Sequence, residues 1–223
     1  MQIDAIVVDI DGTLTDQNRV ISVKGIETLR RIQADGVIVS LASGNVLPVA
    51  YSLSTYIGLK GPIIAENGGI IYHNGKIIEL FDRQLPNRAL EHLQENMAVR
   101  ELFTNQWRRT EIALKKPIDI GRVRELLKGW DVVVECAGFA VHIMNTGHGK
   151  GTGVHKMAQI LNIDASDIAA FGDSDNDVSM FRECGASVAV ENASNAAKAA
   201  ASYVSPKKCA SGVIDGLHWL GLL

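Results

Sequence analysis

The hydrophobic positions of this chain fall into short continuous runs that alternate with longer amphipathic segments. Runs of about four to eight apolar residues are typical of strands buried on both faces of a parallel sheet, and an apolar stripe with helical period is typical of the helices that cover it. The pattern predicts strands and helices at these positions: strands at 3–8, 37–42, 62–65, 168–171 and 187–190, and helices at 22–34, from Pro48 onward, 152–161 and 176–184. It therefore predicts an α/β fold with a Rossmann-like parallel sheet as its core.

The rhythm of the pattern changes between residues 83 and 149. This segment contains two predicted helices and three predicted strands, at 89–97, 120–127, 110–115, 132–135 and 140–144. We interpret it as a small α+β cap domain inserted into the core, so that residues 1–82 and 150–223 form one core domain and residues 83–149 form the cap. Pro86 and the glycine-rich stretch 147–151 are the predicted crossing points. Just before the insertion, two β-prone runs around Asn74-Gly75 predict a hairpin.

Composition narrows the classes of function. A chain of 223 residues with 47% hydrophobic residues and a formal charge of −3 is typical of a folded globular protein and excludes a disordered one. No run approaches the roughly 20 apolar residues of a membrane helix, and the first residues lack the basic start of a signal peptide, so we expect a cytoplasmic protein with no membrane partner. Because Lys and Arg are neither in excess nor clustered, we expect no nucleic acid partner and a small substrate.

Polar side chains follow three of the predicted strands at the point where each strand ends. They are Asp9 and Asp11 after the first strand, Ser43, Gly44 and Asn45 after the second, and Asp173, Asn176 and Asp177 after the strand at 168–171. Ligand crevices of open α/β sheets lie outside the carboxyl ends of the strands, so we expect these groups to converge. A single polar strand end is explained by the capping of the next helix. Three such ends carry more polar side chains than the following helices need as N-caps.

The carboxylates at these strand ends predict a cation. Asp9 and Asp11 lie two residues apart and can point to the same side of the strand, where their charges repel. The predicted metal ligands are Asp9, Asp11, Asp173 and Asp177. A set of oxygen ligands without His or Cys favours Mg²⁺, which proteins usually share with substrate phosphate. The predicted partner is therefore a small-molecule phosphate ester, with one carboxylate able to attack phosphorus and another able to transfer protons.

Two further features can bind phosphoryl oxygens. Ser43 and the amides after it precede a predicted helix, and the side chain of Lys150 supplies a positive charge. The glycines around Lys150 do not form a Walker loop, because Gly151 stands where that loop needs Ser or Thr. The acidic run that begins at Asp173 starts like an EF-hand loop but lacks its glycine and its final glutamate.

The order of these motifs resembles that of the haloacid dehalogenase-like (HAD) phosphatases. The run Asp9-Ile-Asp11-Gly-Thr resembles the DxDGT motif of that family, and Ser43-Gly44, Lys150-Gly151 and the GDSDND run resemble its other three motifs in order. The resemblance spans the whole core and implies that Asp9 is the nucleophile and Asp11 the general acid/base. It implies these further roles: phosphate or substrate binding by Ser43, Gly44, Lys150 and Asn176, and Mg²⁺ binding on the side of Asp173 and Asp177.

The insertion resembles the C2-type cap of the Cof-like branch of that family. Many members of the branch have Arg where this chain has Asn45, so a direct contact of Asn45 with substrate is not implied. The length and the compact insertion are most similar to the archaeal phosphoglycolate phosphatases, which implies a substrate such as phosphoglycolate. Residues 83–149 carry ten Lys or Arg and eight Asp or Glu, a balance of +2, whereas the rest of the chain carries twelve and seventeen, a balance of −5. A basic cap over an acidic floor favours a substrate with a second negative group.

Other interpretations stay open at this point. A sugar-phosphate phosphatase or a phosphomutase of the same family would share the aspartyl-phosphate. A signalling domain phosphorylated on Asp would share the sheet and Mg²⁺ but would lack the second carboxylate, present here as Asp11. Glu66-Asn67, after the third strand, either lines the crevice or forms a simple turn. His142, His148 and His155 fit core or surface positions better than a metal site, because they lack the usual ligand spacing.

Overall fold

The first part of the chain alternates strands and helices as its apolar pattern predicts. The computed structural model of the protein describes residues 2–136, 138 and 140–223. Helix α1 begins after Ser22, whose hydroxyl accepts a hydrogen bond from the Gly25 amide, and helix α2 has Pro48 in its first turn, where a missing N–H costs nothing. The elements are β1 (Ala5–Asp9), α1 (Val23–Ala34), β2 (Ile38–Ala42), α2 (Leu47–Ile57), β3 (Ile63–Ala65), β4 (Ile70–His73) and β5 (Lys76–Glu79).

The middle of the chain forms a separate small sheet with two helices. Its elements are α3 (Gln84–Asn96), β6 (Ile112–Lys115), α4 (Ile120–Leu126), β7 (Val132–Cys136) and β8 (Ala140–Asn145). The strands pair in the order β6-β8-β7, and both pairings are antiparallel. A 3-10 turn, Phe103–Trp107, precedes β6.

The last part of the chain returns to the first sheet. Its elements are α5 (Lys150–Leu161), β9 (Ile168–Gly172), α6 (Val178–Glu183), β10 (Ala186–Ala189), α7 (Asn195–Ala200), β11 (Tyr203–Val204) and α8 (Cys209–Trp219). The apolar pattern does not predict the last helices, because α7 is a short alanine-rich segment without a distinct stripe. Across the part of the chain that the structure describes, no helix combines the length and apolar character that crossing a bilayer requires.

Both flanks of the insertion build one sheet with the strand order β11-β10-β9-β1-β2-β3-β4-β5. Strand β1 lies inside this sheet and pairs in parallel with β2 and β9, so that Asp9 lies opposite Ala42 and Val8 opposite Phe171. The carboxyl ends of these three strands therefore meet at one edge. Strands β4 and β5 form the hairpin expected around Asn74-Gly75, where both residues have positive φ. The predicted α/β fold with a mostly parallel sheet is confirmed.

The apolar side chains form two distinct clusters, one for each sheet. The larger cluster fills the space between the long sheet and its helices, including α1, α5 and α8. The smaller one joins α3 and α4 to the short sheet through residues such as Leu93, Ile112 and Val141, all fully buried. Each sheet thus has a hydrophobic core of its own. The domain limits at residues 83 and 149 stay a prediction.

The structure gives the surroundings of both predicted crossing points. Pro86 lies buried in the first turn of α3, a position that tolerates proline because the N–H there has no helical partner. Helix α5 begins at Lys150 and contains Gly151 of the glycine-rich stretch as well as Gly153 beyond it. A Cβ on Gly151 would lie 2.7 Å from the Ser179 carbonyl oxygen, and one on Gly153 would lie 2.6 Å from Ile64. These glycines permit close packing of the helix.

Candidate active site

Three carboxylates converge at the edge where β1 and β9 end. Asp9 is the last residue of β1, Asp173 follows β9, and Asp177 closes the 3-10 turn Asp175–Asp177. One oxygen of each lies within 4.8 Å of the others. Asp9 and Asp177 are buried and Asp173 is half-buried. We call these three residues together with Lys150 the carboxylate cluster.

Lys150 is the cation of this cluster. As the first residue of α5, it is 1% exposed, and its Nζ donates to Asp9 Oδ1 at 2.5 Å and to Asp177 Oδ1 at 2.6 Å. Burial by itself lowers the pKa of Lys150, but the charges of Asp177 and Asp9 outweigh that effect and raise the pKa well above its ordinary value. The lysine therefore stays charged. Its burial is the opposite of what a solvated hinge lysine would show.

The cluster keeps an excess of negative charge. Burial, followed by the charge of Asp177, raises the pKa of Asp173 to about 6. Burial also raises the pKa of Asp9 well above its ordinary value, although Lys150 acts in the opposite direction. Within residues 2–136, 138 and 140–223, Asp9 Oδ2 is buried and has no hydrogen-bond partner. An orphaned carboxylate oxygen among oxygen-only donors fits Mg²⁺.

The backbone around Asp173 leaves no room for side chains. Asp177 Oδ2 accepts hydrogen bonds from the amides of Asp173 and Ser174, each at 2.9 Å, and a Cβ on Gly172 would lie 2.5 Å from the Asp177 carboxyl group. From the β1 side, Gly12 has a φ of +91°, and a Cβ there would lie 2.4 Å from Asp173 Oδ2. Glycine is required at both positions for the strand ends to approach.

Asp11 lies outside the carboxylate cluster. Its Oδ1 accepts a hydrogen bond from Arg19 Nε at 2.8 Å, and its Oδ2 accepts one from Asn45 Nδ2 at 3.0 Å. The sequence predicts Asp11 as a metal ligand, but among the described residues the carboxylates close enough to share an ion are those of Asp9, Asp173 and Asp177. Asp11 lines a cavity of about 250 Å³, together with Arg19, Gly138 and Asp173. A carboxyl group there can exchange protons with a molecule in the cavity.

The loop after β2 is held by buried polar contacts. Ser43 Oγ accepts a hydrogen bond from the Asn45 amide at 2.9 Å, and both side chains are buried. A Cβ on Gly44 would lie 2.9 Å from Asn67 Oδ1, an oxygen that also accepts from Asn176 Nδ2 at 3.0 Å. The predicted phosphate-binding residues of the two loops are thus brought together through the side chain of Asn67, which follows β3.

A second buried polar group lies between the turn after β3 and the elements of the short sheet, and we call it the interface cluster. Its members are Glu66, Asn67, Arg108, Glu111 and His142. All are at most 3% exposed. Asn67 Nδ2 donates to Glu111 Oε2 at 2.8 Å, and His142 Nδ1 lies 2.9 Å from Glu111 Oε1. Arg108 Nη1 donates to the Gly44 carbonyl oxygen at 3.0 Å and forms an ion pair with Glu111.

The remaining contacts of this cluster fix its charges. The Glu66 carboxylate accepts hydrogen bonds from the backbone amides of residues 109 and 110 and from the Thr110 hydroxyl, at 2.8 to 3.2 Å. Burial lowers the pKa of His142 well below its ordinary value, and the charge of Arg108 lowers it further, so the imidazole is neutral at neutral pH. Glu66 and Asn67 have positive φ of 49° and 52°, an uncommon conformation that turns their side chains toward the cap loop.

Comparison with known proteins identifies the family. The model of the haloacid dehalogenase-like hydrolases matches residues 6–117 and 115–217. This chain belongs to that family. It is 37% identical over 221 residues to a phosphoglycolate phosphatase of Archaeoglobus fulgidus, covering 98% of this chain and 97% of the relative. It is 40% identical over 222 residues to a phosphoglycolate phosphatase of Picrophilus torridus, covering 99% and 93%.

Solved structures of the family share the fold. A crystal structure from Thermoplasma acidophilum superposes with a TM-score of 0.93 at 33% identity and covers all of both chains. A HAD phosphatase of Bacteroides thetaiotaomicron superposes with a TM-score of 0.85 and covers 100% of this chain and 96% of its own, but at 18% identity it shows only a common fold. The resemblance drawn from the four motifs is confirmed.

Several residues of this HAD-like site carry no recognisable motif. Arg19 and Asn45 hold the carboxylate of Asp11. Arg19 lies in a loop outside the motifs, and Asn45 lies at a position where the family pattern differs. Arg108 and Glu111 lie in an ordinary charged stretch before β6. The predicted burial of that strand was the signal in the sequence that these two residues could be buried. Of the two possibilities for Glu66-Asn67, the structure shows the tight turn, and the buried side chains of both residues belong to the interface cluster.

Proposed function

We propose that this HAD-like phosphatase hydrolyses a small phosphate monoester that carries a second anionic group, with Mg²⁺ as cofactor and a phosphoenzyme on Asp9. The observation that carries the proposal is the buried carboxylate cluster, in which Asp9 is held by Lys150 and has one oxygen with no hydrogen-bond partner in the part of the chain that the structure describes. Phosphoglycolate is the substrate we favour. The archaeal relatives bear the name of that activity, and the net charge of the cap favours a second negative group on the substrate.

The residues of the site can divide the reaction into two steps. Asp9 attacks the phosphorus atom, so that a bond forms between its oxygen and phosphorus while the bond to the ester oxygen breaks. Asp11 gives its proton to the departing ester oxygen and then takes a proton from the water that attacks the phosphoenzyme. That second attack releases phosphate and restores Asp9. Arg19 and Asn45 hold the Asp11 carboxylate in place for both transfers.

Charge stabilisation comes from groups that the fold has already placed. Lys150 neutralises phosphoryl oxygens, and Ser43 and the amides of its loop donate hydrogen bonds to them. Held by Asp9, Asp173 and Asp177, Mg²⁺ would neutralise the charge shared by the nucleophile and the phosphoryl group. The cavity beside Asp11, of about 250 Å³, suits a small ester better than a nucleotide or a protein.

Phosphate release from a panel of esters tests this proposal. The panel contains phosphoglycolate, glucose 6-phosphate, phosphoserine and p-nitrophenyl phosphate, each assayed with Mg²⁺ and after EDTA treatment and dialysis. We expect the highest kcat/KM for phosphoglycolate, an excess that falls as salt screens the cap, and loss of turnover without metal. Faster hydrolysis of hexose phosphates would contradict the choice of substrate. Full turnover after metal removal would contradict the cofactor.

A further inference from the structure

Arg108 is a buried cation with unused hydrogen-bond donors. It lies in the cap loop between the turn Phe103–Trp107 and β6 and is 3% exposed. Its Nη1 donates to the Gly44 carbonyl oxygen and pairs with Glu111. Over the residues that the structure describes, Nε and Nη2 are buried and have no hydrogen-bond partner.

The two unused nitrogens form one edge of the guanidinium group. That edge presents two parallel N–H donors, the arrangement that binds a carboxylate through both of its oxygens. Burial lowers the pKa of Arg108 to about 10, so the group is desolvated and still charged at neutral pH. Leaving charged donors buried and unpaired is costly, and such groups in folded proteins usually have a partner.

The acids of the interface cluster cannot supply that partner. The carboxylate of Glu66 is occupied by the two backbone amides and the hydroxyl of the loop after Arg108. The two oxygens of Glu111 are occupied by Asn67 on one side and by Arg108 Nη1 and His142 on the other. The cluster therefore has its anions satisfied and its cation half satisfied. A further anion fits this imbalance.

The loop that carries Arg108 is also held rigidly. Arg83 Nη1 donates to the carbonyl oxygens of Asn105 and Arg108, at 2.6 and 2.9 Å. Asn105 Oδ1 in turn accepts from the Ala113 amide of β6 at 2.9 Å. These contacts hold the backbone of the loop, and the contacts of Nη1 hold the guanidinium group, so Arg108 loses little freedom when it binds a ligand.

The guanidinium group of Arg108 lies beside the loop that would hold the phosphate. Its Nη1 donates to the carbonyl oxygen of Gly44, which is the residue after Ser43. We infer that the Nε and Nη2 edge of Arg108 binds the carboxylate of the substrate's leaving group, and so selects phosphate esters of small hydroxy acids. This inference rests on the proposed function and names the residue that recognises the second negative group.

The test compares two substrates that differ in the carboxylate. We would measure kcat/KM for phosphoglycolate and for ethyl phosphate in the parent protein and in Arg108→Lys, which keeps the charge and loses the two-donor edge. We expect the ratio of the two values to fall by about 10²- to 10³-fold, as for loss of one partner of a buried charged pair. Arg109→Lys is the matched control, since that side chain is half exposed and pairs with Glu79, and it should leave the ratio unchanged.

The outcomes separate this inference from the proposed function. A parent protein that hydrolyses phosphoglycolate no better than ethyl phosphate would contradict the proposed substrate itself. A parent that prefers phosphoglycolate and keeps that preference in Arg108→Lys would overturn only the role of Arg108. The double variant Arg108→Gln, Glu111→Gln removes both members of the ion pair, and we expect the same loss of preference from it.

A second measurement does not depend on whether Arg108 variants fold. A crystal structure of the Asp9→Asn variant with phosphoglycolate should show the carboxylate within hydrogen-bond distance of Arg108 Nε and Nη2. An ordered water at that edge, with the carboxylate bound elsewhere, would overturn the inference.

Discussion

The carboxylate cluster and the interface cluster are both buried and charged, but their imbalances have opposite sign. In the carboxylate cluster, Lys150 is one cation among three acids, and one oxygen of Asp9 has no hydrogen-bond partner among the described residues. In the interface cluster, the acids have their donors, whereas two donors of Arg108 have no acceptor within that same part of the chain. The first cluster therefore calls for a cation and the second for an anion. A buried charged group indicates a ligand only when it has hydrogen-bond donors or acceptors in excess of its partners in the protein.

The two clusters also arise from different parts of the fold. The carboxylate cluster is built at the ends of parallel strands and at the start of α5, where side-chain positions follow from the sheet register. The interface cluster is built where a cap loop meets the tight turn after β3. One cluster is built from elements of the long sheet alone, whereas the other also needs residues of the segment that carries the short sheet. We therefore assign the chemistry to the first and the choice of substrate to the second.

Removal of the nucleophile should give the largest effect. Asp9→Asn keeps the shape of the side chain but cannot form the phosphoenzyme, so we expect turnover to fall by at least about 10⁴-fold. Phosphate release and trapping of the phosphoenzyme measure it. The control is Asp35→Asn, a carboxylate in an exposed pair with Arg31, which should retain parental rates. If Asp9→Asn kept a tenth of the activity, the covalent mechanism would be wrong.

Loss of the cluster's cation should come next. Lys150→Ala removes the charge that neutralises the phosphoryl oxygens and holds Asp9, and we expect both kcat and kcat/KM to fall by about 10²- to 10³-fold. Lys156→Ala on the same helix is the control, because its half-buried side chain forms a hydrogen bond only with Gln159 in the described residues. Equal kinetics for the two variants would refute a role for Lys150 in charge stabilisation.

Mg²⁺ should stabilise the fold, and more at pH 7.5 than at pH 5. Without metal, the folded state keeps a proton on Asp173 up to a pKa of about 6, above its ordinary value of 3.8, so the stability this proton contributes is lost as the pH rises through 6. Mg²⁺ needs the deprotonated carboxylates, and its contribution grows over the same range. We expect about 2.7 kcal/mol at 100-fold excess over Kd near pH 7.5. Thermal unfolding at both pH values measures it, and an equal increment at pH 5 would count against this assignment.

The interface cluster should affect stability independently of the metal. Glu111→Gln removes the anion that pairs with Arg108 and contacts His142, and we expect the free energy of unfolding to fall by about 1–3 kcal/mol. The increment from Mg²⁺ should stay as in the parent. Glu125→Gln, in an exposed pair with Arg122, is the control and should change stability little. A loss of the Mg²⁺ increment in Glu111→Gln would show that the two clusters are coupled.

The sequence alone was enough to predict the α/β fold and most of the carboxylate cluster. Buried strands appear as apolar runs, and parallel strands bring their carboxyl ends to one edge, so Asp9 and Asp173 had to lie near each other. The family motifs added Lys150, which the structure brings to the same carboxylates. These inferences needed only local patterns and one rule of topology. The roles of these residues in catalysis stay predictions.

Only the tertiary structure decided the orientation of each polar side chain and the residues that it contacts. Asp11 has the spacing of a metal ligand, but its carboxylate accepts hydrogen bonds from Arg19 and Asn45 and lines the cavity. Arg108 is one of ten basic residues in the insertion, and nothing in its neighbours along the chain marks it as the buried one. Its burial depends on the docking of the cap loop against Gly44. Contacts between residues far apart in the chain leave no periodic signal in the sequence, so their partners and their unused donors become visible only in the folded protein.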